Sequence, residues 1–159
     1  MILNYLEKFR SSPCIVTSNK SLTYEELMMR VHNFSNKILN LKFYKEKIFA
    51  LNLEDSLELD VAYLACIELK IGFLPLGQHY SSMEKKNLIN ITRPNYIIKK
   101  NSIDYLTKKK TKLKNFGIFF TSGTTSEPKA ILHAHQSLIQ NALAFNRLNK
   151  TKKGNFLQV

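Results

Sequence analysis

The chain has 159 residues, enough for one domain with a hydrophobic core, and its 44% hydrophobic and 11% aromatic content is that of a globular protein rather than a disordered one. No stretch approaches the roughly 20 apolar residues of a membrane-spanning helix, and MILNYLEKFR carries Glu7, Lys8 and Arg10 in place of an apolar signal core, so export is not expected. A net charge of +12 suits a nucleic-acid or anionic-membrane partner, but arginine, the side chain favoured for bidentate phosphate and base recognition, occurs only at Arg10, Arg30, Arg93 and Arg147.

The excess charge is lysine, and abundant lysine, asparagine and isoleucine are also what an AT-rich coding sequence produces. Neither a nucleic acid nor a membrane is therefore expected as partner. Cys14 and Cys66 fit no metal-ligand spacing, and Cys66 lies in an apolar run as a small buried thiol would. No metal site is expected from these residues, and the expected compartment is the cytoplasm.

In chain order, Cys14–Thr17 is short and β-prone, Ser18–Lys20 is turn-like, and Ser21-Leu22 follows, a pattern that predicts a small hairpin feeding a helix. Thr23 is a good N-cap, and Glu26 three residues later completes a capping box. Leu27, Val31, Phe34 and Ile38 then recur at helical spacing and define one buried face. Lys47–Leu53 reads as a strand. Ser56 is placed to cap a second helix running to about Lys70, with Leu57, Val61, Leu64, Ala65 and Leu69 inward. Gly72 is placed for the left-handed turn after it. Phe73–Leu76 is a short apolar strand whose proline predicts an edge or an end. A third helix is expected over Ser82–Ile91, broken at Arg93-Pro94, and Tyr96–Ile98 is another strand. The densest basic stretch, Lys99–Lys114, reads as a solvated connection. Phe116–Phe120 is the next apolar strand, and His135 to about Asn146 is helical. Strands alternating with helices from residue 47 onward predict an α/β layered sheet with flanking helices and parallel pairings.

The segment Phe120-Thr121-Ser122-Gly123-Thr124-Thr125-Ser126-Glu127-Pro128-Lys129 stands apart, following directly on an apolar strand. Small hydroxyl residues let backbone amides approach an anion and add donors of their own. Gly123 permits a backbone shape that a Cβ would forbid, successive amides can form an anion-binding nest, and Lys129 adds a positive charge suited to a polyphosphate. On composition alone an ordinary Ser/Thr-rich turn explains the stretch equally well. A Walker-type loop is excluded, because Pro128 and Ala130 flank the lysine where glycine and Ser or Thr are needed.

The same run resembles the signature loop of the adenylate-forming superfamily, which includes acyl-CoA synthetases, nonribosomal peptide synthetase adenylation domains and luciferases. That pattern is an aromatic residue, Thr-Ser-Gly, Ser or Thr, Thr-Gly, any residue, Pro-Lys-Gly. Ile131–His135 is similar to the family's continuation, a short strand ending in a histidine before a helix. Ser21–Leu27 resembles its first block, Leu-Thr-Tyr followed by Glu-Leu, and Leu64–Leu76 its second, a helix, a glycine, then a strand ending near proline.

The resemblance implies an enzyme that joins a carboxylic acid to ATP, with Mg2+ accompanying the nucleotide. Pyrophosphate leaves, and the acyl group commonly passes to coenzyme A or a carrier-protein thiol. It implies that Thr121, Ser122, Gly123, Thr124, Thr125 and Lys129 hold the β- and γ-phosphates. It also implies that residues 1–159 are a single incomplete domain, the N-terminal part of an AMP-binding domain. On this expectation the phosphate loop lies at 120–130 and the C-terminal domain is absent. Ser126 and Ala130 stand where the family has glycine; if either needs positive φ, its Cβ costs on the order of 1 kcal/mol or more. The chain alone is expected to be inactive, with no catalytic residue assigned. For His135 a packing or helix-capping role is expected, since a site needs geometry and not residue type. The alternative is a shortened, non-catalytic module that binds nucleotide or pyrophosphate, or one subunit of a split enzyme with a complementary partner. The apolar ending Asn155–Val159 predicts an uncovered edge and association of the isolated chain.

Overall fold

Thr23 and Glu26 start the first long helix as a reciprocal pair. The Thr23 hydroxyl accepts from the Glu26 N–H, and the Glu26 carboxylate accepts from the Thr23 N–H at 2.8 Å. The computed structural model describes residues 2–16, 21–41, 44–45, 47–108, 115–121 and 128–148. Helix α1 (Ile2–Leu6) and a 3-10 turn (Glu7–Phe9) lead into an antiparallel ladder of β1 (Pro13–Val16) with β2 (Ser21–Thr23), the expected hairpin. Helix α2 (Tyr24–Leu39) buries Leu27, Val31, Ser35 and Ile38, with Phe34 half-buried beside them.

The remaining strands form one six-stranded sheet in the order β6-β5-β3-β4-β7-β8. These are β3 (Ile48–Leu51), β4 (Gly72–Pro75), β5 (Tyr96–Ile98), β6 (Ile103–Tyr105), β7 (Phe116–Thr121) and β8 (Lys129–Ala134). The four inner strands are parallel to one another, and each edge strand is antiparallel to its neighbour. The inner strands are near-continuous apolar runs because both faces are covered. Phe49, Leu51, Phe73, Tyr96 and Ile98 point to one face, where they pack against Ile38 of α2 and Ala62 and Cys66 of α3 (Ser56–Glu68). Ala50, Leu74, Ile97, Phe116 and Ile118 alternate to the other face, under Leu88 of α4 (Ser82–Thr92). Helix α5 (His135–Leu148) lies on the first face through Leu138. This is the expected α/β layered sheet with flanking helices.

Several local expectations are corrected. Asp55, not Ser56, caps α3: its carboxylate accepts from the Glu58 N–H at 2.9 Å, and Ser56 is the first helical residue. The left-handed residue closing α3 is Lys70 (φ 56), and Gly72 does not have positive φ. The Ile71 N–H donates to the Cys66 carbonyl and the Lys70 N–H to that of Ile67, which together make a Schellman end. Gly72 is instead needed for space, since a Cβ there would lie 2.9 Å from Phe116 Cζ. Pro75 marks the end of β4, which is a central strand and not an edge. Within the basic stretch, Ile103–Tyr105 forms β6, paired with β5, so part of that connection is sheet. The predicted Asn155–Val159 ending lies outside the described residues.

Candidate functional site

The β7–β8 hairpin follows from two apolar, β-prone runs, Phe116–Phe120 and Ala130–Leu132, which pair without a register shift. The ladder runs from Phe116 opposite Ala134 to Thr121 opposite Lys129. Thr121 and Lys129 are therefore cross-strand partners at the open end of the ladder, and both are exposed. Residues 122–127 between them lie outside the described residues, and with them the candidates Ser122, Gly123, Thr124 and Thr125. Ser126 lies there too. A hydroxyl and an ammonium side by side at the base of one connection are donors suited to an anion.

Ala130 is paired with Phe120 inside β8, and positive φ among the described non-glycine residues occurs only at Lys70, Arg93 and Asn115. The strain expected from a Cβ at position 130 is therefore absent.

Period-two alternation puts Lys129, Ile131 and His133 on the face that carries α3 and α5. There the His133 ring meets Phe119 edge-on at 5.4 Å. Gly117 lies opposite His133, where a Cβ would come 2.7 Å from Phe119 and 2.8 Å from Phe73. His135 opens α5 with its ring stacked on Phe73 at 5.4 Å, and it is 4% exposed. Its N–H donates to the Asn115 carbonyl at 2.8 Å, while its ring nitrogens find no partner among the described residues. Burial holds this imidazole below its ordinary pKa, against an opposing influence from the Phe116 backbone. His135 is a packed residue, as expected.

Sequence reasoning missed a crevice of about 890 Å³ on this face, lined by Glu54, Asp60, Tyr63, His79, Phe119 and Leu138 among others. It lies at the carboxyl ends of β3 and β4, where the chain departs into α3 on one face and α4 on the other; ligands in open α/β sheets favour such switch points. Burial, with Asp55 nearby, pushes the Asp60 carboxyl above the usual carboxylate range. Burial and the Asp60 charge push the Tyr63 hydroxyl well up. The available signal was positional: Gly77-Gln78-His79 follows one residue after the end of β4. Among the described residues, no group of three His, Cys, Asp or Glu could hold a metal ion, and no helix is long and apolar enough to cross a membrane.

The sequence profile of the AMP-binding enzyme family matches residues 4–117, from α1 to the second residue of β7. The chain belongs to that family. Gramicidin S synthase 2 of Brevibacillus brevis is 24% identical to it over 161 aligned residues, covering 88% of this chain and 4% of that protein. The NpsA N-terminal subdomain of Klebsiella oxytoca, solved with 3-hydroxyanthranilyl-AMSN, superposes with a TM-score of 0.66 at 20% identity, covering 85% of this chain and 40% of that one. Apo MatB of Rhodopseudomonas palustris gives 0.67 at 18%, covering 92% and 37%. The chain thus spans less than half the length of each of these proteins. Its fold is that of an N-terminal subdomain of adenylate-forming enzymes. The family match closes at Gly117, short of Thr121.

Proposed function

We propose that residues 1–159 form the N-terminal part of an ATP-dependent carboxylate-activating ligase. In this reading Thr121, Ser122, Gly123, Thr124, Thr125 and Lys129 hold the β- and γ-phosphates of ATP. The observation that carries it is the cross-strand pairing of Thr121 with Lys129 at the mouth of the β7–β8 hairpin. Membership of the AMP-binding family supports a nucleotide and a carboxylic acid as substrates. Two rigid strands position the ends of a connection rich in hydroxyls, and Lys129 brings a charge that opposes the one developing on departing pyrophosphate.

ATP supplies the leaving group of the reaction; this chain's residues bind and orient its phosphates. Mg2+ belongs with the nucleotide: a hard cation of this kind is commonly held by phosphate oxygens and one or two carboxylates rather than by a dedicated cage. A coenzyme A or carrier-protein thiol is the acceptor of the acyl group. Cys14 and Cys66 are free thiols, which suits a cytoplasmic setting.

The test is ATP binding by the 159-residue chain and by its Lys129→Ala variant, followed by carboxylate-dependent exchange of labelled pyrophosphate into ATP. We expect the chain to bind ATP, the variant to bind it about tenfold more weakly, and the chain alone to support no exchange. Equal ATP affinity of the two proteins refutes the assignment of the loop. Exchange by the isolated chain refutes its being only a part of the ligase.

A further inference from the structure

The carboxyl end of β5 turns through Lys99–Ser102 into β6, and this turn faces the middle of α2 across a cleft of about 640 Å³. The floor of the cleft is apolar, with Phe34, Val61 and Ile98 among its residues, and its rim carries Arg30, Lys37, Lys99 and Lys100 against a single carboxylate, Glu58. Lys99 is already matched, its Nζ 2.7 Å from Asp104. Arg30 and Lys37 are two helical turns apart on one face of α2. They and Lys100 form no ion pair among the described residues. Glu26, one turn before Arg30, is engaged by Thr23.

Arg30, Lys37 and Lys100, set against Glu58 on the rim and Glu26 one turn before Arg30, leave the cleft net positive over an apolar floor, which attracts an anion and at the same time removes its apolar part from water. A planar guanidinium and two ammonium groups on the rim of one cleft suit phosphate, and the volume lies within the range of small-molecule sites. The sheet order β5-β3-β4-β7 puts this cleft three strand spacings, roughly 14 Å, from the strand that carries Thr121. The two sites are separate.

We propose that this cleft binds a small amphipathic anion, a phosphate monoester attached to an aromatic or aliphatic body. The site does not depend on the hairpin reading. The probe is 2-naphthyl phosphate, titrated calorimetrically into the full chain and followed by amide NMR shifts. Inorganic phosphate and 2-naphthol serve as the head-only and body-only arms. One saturable site is expected, with shifts confined to the residues around the cleft: Arg30–Lys37, Leu53, Glu58–Val61 and Ile98–Ile103. Lys37→Glu combined with Lys100→Glu should weaken it about tenfold or more while lowering the melting temperature only slightly, because both side chains are exposed and the one structural cost is a reversed charge in the last turn of α2. Phosphate and naphthol alone should each bind at least about tenfold more weakly. Lys129→Ala should leave the affinity intact. The proposal is overturned by absence of saturable binding, by equal binding of naphthol, by an affinity indifferent to the double variant, or by its loss in Lys129→Ala.

Discussion

Asn95 and Ile48 are joined twice: the Ile48 N–H donates to Asn95 Oδ1 at 2.9 Å, and the Asn95 N–H donates to the Ile48 carbonyl at 2.8 Å. The Asn95 amide also donates to the Thr107 carbonyl at 2.9 Å, so one side chain ties the start of β3 to the segments entering β5 and leaving β6. Asn95 is 2% exposed, and water cannot replace these partners. Asn95→Ala should cost about 1–3 kcal/mol, since it removes the acceptor of the part-buried Ile48 N–H and the side-chain donor to the Thr107 carbonyl. The urea midpoint measures this, and a loss under roughly 0.5 kcal/mol would show that the groups find other partners.

At the end of α3 two substitutions should act in opposite directions. Gly72→Ala puts a Cβ 2.9 Å from the Phe116 ring in a packed core and should destabilise by roughly 1–3 kcal/mol. Lys70→Gly relieves the left-handed residue and should stabilise by about 1 kcal/mol. Thermal melting of the two variants decides which position carries the turn.

Stability should fall with acid in two windows. Burial lowers the folded pKa of His135, so below the unfolded value near 6.5 the unfolded chain takes up a proton that the folded chain refuses. Hydrogen bonds from Thr23 and Ser81 lower Glu26 and Glu84, whose contributions are present above the ordinary glutamate value near 4.3 and are lost as pH falls through the folded values. His135→Phe should flatten the upper window only, and Glu26→Gln the lower one. Denaturant midpoints from pH 8 to 3 separate them.

Ala130 lies in a paired strand with no positive φ, so restoring the family's glycine relieves nothing. Ala130→Gly should leave nucleotide affinity within about twofold and cost up to about 1 kcal/mol of stability through backbone entropy. A gain in affinity in the same ATP titration would show that the loop needs a conformation at position 130 other than extended strand.

β8 is an edge of the sheet, with Ile131 40% and Leu132 50% exposed. An apolar edge invites pairing with another chain, so the isolated chain should associate with rising concentration. Leu132→Lys should reduce this, as read by sedimentation velocity. A monodisperse parent chain would contradict the expectation.

Short-range chemistry was legible in the residues themselves. The Thr23–Glu26 box, the hairpin before it, the helical face of Leu27, Val31 and Ile38, and the strand at Phe116–Phe120 depend on neighbours a few positions apart. The alternation of strands and helices was sufficient for an α/β layered sheet, and the run from Thr121 to Lys129 stood out as a loop after an apolar strand, but not as the bend of an antiparallel hairpin. Strand order was not legible. β6 was concealed in lysine-rich sequence because its stability comes from pairing with β5 and not from its own apolar content. Gly72 was misread because what confines it is a phenyl ring from a strand more than forty positions away. Asn95, the crevice beside Asp60 and Tyr63, and the basic cleft between α2 and the β5–β6 turn all bring together segments distant in the chain. Local propensity therefore determined which elements form, while the sheet's packing decided which side chains meet, because burial and cross-strand contact exist only once the layers are assembled.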